Sequence, residues 1–415
     1  MKPEEHRQLC AVKEASRRLA QAPARQRTEA LLAMSNRLSA GAETVLQANQ
    51  ADVQAACAGN ADARRVGILT LSAGDIQAMS AFLRQAAAYA DPVGQLLESE
   101  YRPDGLRREK RLFPLGVIAL LYEARPSVVT DGAALCLRTG NALALRCSPL
   151  CARTDQAVVS LLRQGLCDAG LPADAITLFS RDDRDLTLSL AQQDRLVDLF
   201  IVRGGYQALD AVRRAATVPV LGAGPGNCHI FIDESARPDM AEAIVLNSKV
   251  PRPLACNAAE TLLVHSGWAE THLPHLAQAL EAAGISLRGC PRARALCPGM
   301  EPAGEDDWAQ EYFAPMLAVR LVDSLDEAID HINRYRTPHT ESIVTEDSGR
   351  AARFLAEVEA NVVCHNTSTR LTDGTVFGLG GEMGISTQKY PCGGPIGVPH
   401  LMQQKYYLAG PGILR

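Results

Sequence analysis

Between residues 117 and 221, five short apolar runs alternate with longer amphipathic segments. The runs are Val117 to Leu121, Ala142 to Leu145, Ile176 to Phe179, Leu196 to Val202 and Val218 to Leu221; Val128 to Leu137, Asp155 to Ala169 and Tyr206 to Ala215 lie between them. Runs this short and this continuously apolar suit strands buried on both faces, and the intervening lengths suit crossover helices. The pattern predicts an α/β fold, with a parallel sheet covered by helices on both sides. Such sheets bind ligands outside the carboxyl ends of their strands, where helix N-termini present backbone N–H groups to phosphates. A second α/β rhythm begins after Asp233. It has a helix around Ala241 to Ser248, a strand Thr261 to Val264, a helix from His272 to Ala283 and a Pro/Gly-rich excursion from Gly289 to Asp307. Met316 to Leu321, Leu325 to Tyr335, Ser342 to Val344 and Ala351 to Val358 then read as strand and helix in turn. A chain of 415 residues is long enough for two or three domains.

From Met1 to Ala90 the spacing is helical: Leu9, Val12 and Leu19, then Leu31, Leu32 and Leu38, then Ile76, Met79 and Leu83 in a segment starting near Ser72. Tyr101 to Arg111, with Pro103-Asp104-Gly105 as its turn, reads as a hairpin, and Gln403 to Leu408 as a strand in a tail. Their edges would lie open in a monomer, which predicts a homo-oligomer. A formal charge of -5 gives no basic field for nucleic acid or an anionic membrane. Arg107, Arg108, Lys110 and Arg111 read as a solvated hairpin. No apolar run approaches the roughly eighteen residues of a membrane span, and no N-terminal leader pattern is present, so the expected location is the cytoplasm. Twelve scattered cysteines agree with that. Cys147 with Cys151, and Cys290 with Cys297, lack a second half at ligand spacing, so no metal is expected.

One thiol stands apart. Cys256 lies in N-S-K-V-P-R-P-L-A-C-N-A-A-E, Asn247 to Glu260, where Pro251 and Pro253 forbid a regular helix and Lys249 and Arg252 bring positive charge. A stiff loop with nearby cations favours a reactive thiolate, whereas Cys136, within A-A-L-C-L, reads as core. Arg203-Gly204-Gly205 ends an apolar run and opens a helix, the right place for a dinucleotide phosphate. Gly222-Ala223-Gly224-Pro225-Gly226 lacks the sixth-position glycine and precedes a strand, His229 to Ile232, which favours a turn between domains over a pyrophosphate cradle.

These segments together resemble the gamma-glutamyl phosphate reductases of the aldehyde dehydrogenase superfamily. The resemblance runs through Asp91-Pro92-Val93-Gly94, P-L-G-V-I (Pro114 to Ile118), Y-E-A-R-P (Tyr122 to Pro126), Arg203 to Gly205, the Cys256 loop and S-T-R-L-T-D-G-T-V-F-G-L-G-G-E-M-G-I-S-T-Q-K (Ser368 to Lys389). It implies a Rossmann-type cofactor domain over 1–232 with an oligomerisation hairpin at 97–112, and a second α/β catalytic domain over 233–360. A return to the cofactor domain over 361–389 and an oligomerisation tail over 390–415 complete it. The implied reaction is reduction of L-glutamyl 5-phosphate by NADPH, through a thioester on Cys256, with a gamma-glutamyl kinase as a possible partner. Cys256 and Asn257 would be catalytic. E-Y-F-A-P (Glu311 to Pro315) is similar to the superfamily motif whose carboxylate holds the nicotinamide ribose, which assigns the cofactor to Glu311 and Phe313 together with Arg146, Arg203, Gly204 and Gly205. Arg125, Arg370, Ser368 and Thr387 would bind substrate, although either arginine also suits a structural ion pair. The turn at Gly222 to Asn227 has no carboxylate where hydrolytic relatives activate water, which suits a reductase. Two stretches depart from the family pattern, Cys147-Ser148-Pro149-Leu150 and Tyr390-Pro391-Cys392-Gly393-Gly394. They keep open a paralogue acting on another acyl phosphate or thioester, and weaken the expected preference for NADPH over NADH. A non-catalytic scaffold is the third reading, and the intact Cys256, Asn257 and Glu311 argue against it.

Overall fold

The residues before Asp91 form five helices, Pro3–Gln21, Ala24–Ala40, Ala42–Ala58, Ala63–Leu69 and Ala73–Ala88, in a computed structural model that describes residues 1–179 and 184–414. Leu9, Val12, Leu19, Leu31, Leu38, Ile76, Met79 and Leu83 are all buried, while Leu32 falls on the outer face. The last helix starts where Ser72 and Asp75 close a reciprocal capping box.

The chain divides into two compact units. The first comprises residues 1–223, 378–384 and 396–415, and the second residues 224–377 and 385–395. In the first unit a hairpin of β1 (Leu96–Tyr101) and β2 (Arg107–Pro114) precedes five parallel strands. These are β3 (Val117–Tyr122), β4 (Ala142–Arg146), β5 (Ile176–Phe179), β6 (Leu199–Arg203) and β7 (Val220–Ala223), in the order β7-β6-β3-β4-β5. β6 starts later than its apolar run because Asp198 stops at the sheet margin, where its carboxylate accepts the Val117 N–H at 2.8 Å and pairs with Lys13 at 2.6 Å. The chain winds from β3 through β4 to β5, then crosses to β6 and β7. The winding reverses between β3 and β6, and the carboxyl ends of that pair form the crevice where such sheets take ligands.

The second unit has its own parallel sheet: β8 (Cys228–Ile232), β9 (Ala259–His265), β10 (Ser286–Gly289), β11 (Glu301–Pro302), β12 (Met316–Val322), β13 (Thr340–Val344) and β14 (Val362–His365), ordered β11-β10-β12-β9-β8-β13-β14. The stretch expected to be an irregular excursion after Gly289 carries a short helix, Pro291–Leu296, and β11. The helix expected from His272 starts at Ser266, because the His265 side chain accepts the Gly267 N–H and caps it. Here too the winding reverses, between β8 and β13, but the carboxyl ends of that pair are closed by a polar knot. Fully buried Asp233 accepts from Thr345 Oγ1 at 2.7 Å, Ser235 Oγ at 3.1 Å and Arg350 Nη1 at 2.6 Å. β15 (Ile385–Ser386) and β16 (Gly394–Pro395) form a short antiparallel pair.

The third sheet belongs to the first unit. β17 (Met402–Ala409) runs antiparallel to β2, giving the order β1-β2-β17. The hairpin charges are largely neutralised among themselves, with Arg108 on Glu100 at 2.8 Å, Lys110 on Glu98 at 3.1 Å, and Arg107 and Arg111 both on Glu109. No helix of the described residues is long and apolar enough to cross a membrane.

One core position of the second unit carries a titratable ring. His331 is buried against the rings of His229, Trp308 and Tyr335, and neither of its nitrogens has a hydrogen-bond partner among the described residues. Burial foremost, then His229 and nearby arginines, hold its pKa down to about 2. A ring that must stay neutral in the fold takes up a proton only on unfolding, so stability is full above pH 6.5 and falls as the pH drops below it. At pH 5 the loss from this one residue is about 2 kcal/mol. His331→Phe keeps the ring contacts and should recover that amount at pH 5 while changing little at pH 7.5. Urea denaturation midpoints at the two pH values check this, and an unchanged acid sensitivity would refute it.

Candidate active site

In the first unit the residues singled out by sequence gather at the carboxyl ends of β3 and β6. Tyr122 and Arg203 are register partners, and the Glu123 N–H bonds to the Arg203 carbonyl at 3.3 Å. Ala124 takes a positive φ of 39°, a sharp turn that leaves Arg125 exposed just beyond β3. Gly205 is the N-cap of the helix Tyr206–Ala215 and brings no capping side chain, so the first N–H groups of that helix face the crevice uncapped by a side chain. Arg203 lies 3.8 Å from Asp131, whose pKa is raised by burial to about 6 against the pull of Arg203 and Arg125. Arg203, Arg125 and the helix N–H groups offer donors to a dinucleotide phosphate, with the carboxylates of Glu123, beside Gly204, and Asp131 in the same cluster. Arg146, at the end of β4, is buried, and its guanidinium donates to the Cys147 carbonyl. Arg153 is well exposed and pairs with Asp52 at 3.3 Å. Cys147 and Cys151 are buried, the latter donating to Asp155 at 3.1 Å.

In the second unit the residues collect at the opposite, amino edge of the sheet. Gly224 to Asn227 lead into β8, Cys256 into β9 and Glu311 to Phe313 into β12, and these strands neighbour one another in the order β12-β9-β8. The Cys256 loop is built from two successive turns, closed by Ala255 N–H to the Arg252 carbonyl at 3.1 Å and Ala258 N–H to the Ala255 carbonyl at 2.9 Å. Cys256 itself is half-buried. Its carbonyl oxygen accepts the Cys228 thiol at 3.4 Å and lies only 1.6 Å from where a Cβ on Gly226 would sit. A Cβ on Gly224 would fall 2.1 Å from Thr387 Oγ1. The glycines weighed at sequence level as a cradle or a turn are there because main chain and a threonine press against them.

The charges around the loop differ from the expectation. Lys249 is fully buried in a 2.8 Å ion pair with Glu260, so the pair is neutral as a whole and Lys249 does not act on the thiol as a lone cation. Burial raises the Glu260 carboxyl and lowers the Lys249 ammonium, each opposed by the charge of the other. Asn257 is buried with its amide donating to the Thr372 carbonyl at 2.9 Å, and the Asn257 carbonyl accepts Thr369 Oγ1 at 2.6 Å. These two contacts tie Asn257 to the segment that braces the loop. Ser368 is likewise buried on Ser248, Oγ to Oγ 3.0 Å, while Arg370, two residues on, is half-buried. Phe313 sits at a φ of +49°, a left-handed conformation that costs a phenylalanine roughly 1–3 kcal/mol. Cys136, by contrast, is core, and burial alone lifts its thiol far above the ordinary range.

Sequence reasoning passed over Gly226 as a contact, Cys228 and Glu260. Only Glu260 carried a readable signal, as a charged residue opening the apolar run T-L-L-V, which demands a buried partner.

A sequence model described as the aldehyde dehydrogenase family matches residues 3–286 and 304–389. The gamma-glutamyl phosphate reductase of Caldanaerobacter subterraneus subsp. tengcongensis is 43% identical over 97% of both chains, and that of Moorella thermoacetica 44% identical over 97% of this chain and 96% of its own. The crystal structure of gamma-glutamyl phosphate reductase from Thermotoga maritima aligns with a TM-score of 0.93 at 38% identity, covering 99% of each chain. An acetylating aldehyde dehydrogenase from Geobacillus thermoglucosidasius, at 17% identity and a TM-score of 0.74, shares the fold.

The Gly226 contact has a direct test. Any side chain there forces the Cys256 main chain to move by more than about 1 Å, and a displacement of that size at a reacting group costs about 10²-fold in rate. Gly226→Ala should lower turnover by that order and slow alkylation of Cys256, with the circular dichroism spectrum unchanged. Wild-type turnover would show that this contact does not set the loop.

Proposed function

The chain belongs to the aldehyde dehydrogenase family and, within it, to the gamma-glutamyl phosphate reductases, and on that premise we propose that it reduces L-glutamyl 5-phosphate to L-glutamate 5-semialdehyde with NADPH, releasing phosphate, on the route to proline. The observation that carries this reading is the Cys256 loop, a half-buried thiol on two braced turns in a chain 43% and 44% identical to two such reductases. The acyl phosphate is the product expected of a gamma-glutamyl kinase.

The Cys256 thiolate attacks the acyl carbon, phosphate leaves with the bonding pair, and a thioester forms on Sγ. Nicotinamide held by the residues assigned below would supply the hydride for this thioester. The thiohemiacetal oxygen is left as an oxyanion, and its lone pair re-forms the C=O as the C–S bond breaks, releasing aldehyde and returning the thiolate. The Cys256 backbone N–H is our choice for the oxyanion contact, with Asn257 holding the loop that aims it. Glu311 and Phe313 are assigned to the nicotinamide ribose and ring, and Arg203, Gly204 and Gly205 to the phosphates. Arg125 and Arg370 are the cations for the substrate's carboxylate or phosphate, with Thr387, beside Gly224, and Ser368 in support. The turn before β8 offers no carboxylate to activate water, so the thioester is spared hydrolysis.

The reverse reaction, NADP-dependent oxidation of pyrroline-5-carboxylate with added phosphate, tests the assignment. Cys256→Ala should abolish it with the fold intact, whereas Cys136→Ala should keep activity and cost about 1 kcal/mol of stability. Full activity in the Cys256 variant would sink the mechanism.

For cofactor choice, exposed Arg153 is better placed than buried Arg146 to meet a 2′-phosphate. We expect kcat/KM to favour NADPH over NADH by less than about a hundredfold, and Arg153→Ala to narrow the gap further. An unaltered ratio would move the 2′-phosphate contact elsewhere.

The open edges of β1 and β17, with Tyr101, Tyr406 and Leu408 exposed, support a homo-oligomer. Light scattering at micromolar concentration should give at least a dimer, and a monomer would refute it.

A further inference from the structure

Residues 249 and 260 face each other across the base of the Cys256 loop. Lys249 is the last residue of the helix Pro238–Lys249, Glu260 is the second residue of β9, and their side chains meet at 2.8 Å with no exposure to solvent. The ion pair is therefore a clasp at the neck of the loop. The same carboxylate oxygen, Oε2, also accepts the Tyr312 backbone N–H at 3.3 Å. Its other oxygen is buried and has no partner among the described residues. A carboxylate left half-satisfied in a dry interior is a poor device for stability alone, since an apolar pair of similar volume serves the fold as well or better.

What Glu260 reaches explains its presence. Tyr312 is held at two points, its main chain by Glu260 and its hydroxyl by Asp307 at 2.8 Å, and Asp307 is in turn held by Arg288 at 2.8 Å. The next residue is Phe313 in its left-handed conformation, which a bulky side chain keeps only when its surroundings impose it. Glu260 lies four residues past Cys256, so one side chain spans the loop that bears the nucleophile and the segment that bears Glu311 and Phe313.

We propose that Glu260 is a positioning residue for the cofactor segment: oriented by Lys249, it accepts the Tyr312 N–H and thereby fixes Phe313 relative to the Cys256 loop. The inference rests on the reading of Glu311 to Phe313 as the nicotinamide-ribose site.

Two variants differ in little besides the acceptor. Lys249→Met with Glu260→Gln removes both charges and keeps an oxygen for the Tyr312 N–H; Lys249→Met with Glu260→Met removes the oxygen too. In the reverse reaction the dimethionine variant should raise the KM for NADP about tenfold and leave the KM for pyrroline-5-carboxylate within about twofold. The glutamine variant should stay within about threefold of wild type for both. A merely structural loss lowers the active fraction and moves neither KM, so equal KM values in the two variants overturn the proposal. If the dimethionine variant does not fold while the glutamine variant does, Glu260 serves the fold instead, which also overturns it. Glu311→Gln separates the two levels. A raised NADP KM in Glu311→Gln without one in the dimethionine variant defeats this inference alone, and no change in Glu311→Gln defeats the cofactor reading beneath it.

Discussion

The candidate site of the second unit hangs on one contact of main chain against main chain, the Cys256 carbonyl resting where a side chain of residue 226 would be. Side-chain bonds can be remade by rotamer changes, but two backbones this close have no such freedom. Once Gly226 and the Cys228 thiol fix that carbonyl, the turns on either side of Cys256 follow. Asn257 then carries the restraint outward to Thr372 and Thr369, and through Thr372 Oγ1 to Thr340 at the start of β13. The half-buried thiol is thus the tip of a braced structure and not the end of a mobile arm.

The sequence made the parallel strands β3 to β6 of the first unit legible because they are largely buried on both faces and bounded by polar residues, so that Ile176–Phe179 and the helix Tyr206–Ala215 stand where the apolar pattern put them. The same logic was blind to β14, where Val362 and Val363 are the only aliphatic pair and the strand is just half-buried. It was equally blind to β10, a four-residue strand ending on a glycine. Short elements at or beside a sheet edge take their structure from neighbours far away in sequence, which a local pattern does not contain.

For the site, the reactive loop was readable because prolines and cations leave a local signature, yet the partners of those cations were not. Lys249 looked like a charge available to the thiol, but its charge belongs to Glu260, eleven residues on. Asn257 reads as catalytic, and its amide also donates to the Thr372 carbonyl. In both cases the structure adds a supporting contact that the sequence did not show, because it depends on which groups meet in space.

The two sheets share one architecture and use opposite margins of it. In the first unit the reversal point between β3 and β6 carries Arg125, Arg203 and an uncapped helix end. In the second unit the equivalent gap between β8 and β13 is sewn shut by Asp233, Thr345 and Arg350, and the reactive loop lies at the far margin. The position where an α/β sheet ordinarily concentrates its chemistry is here given over to mechanical closure. Inherited variation at Asp233 or Arg350 would therefore register as a shortened protein lifetime, through proteases that sample the opened unit, while each surviving molecule turned over at its normal rate.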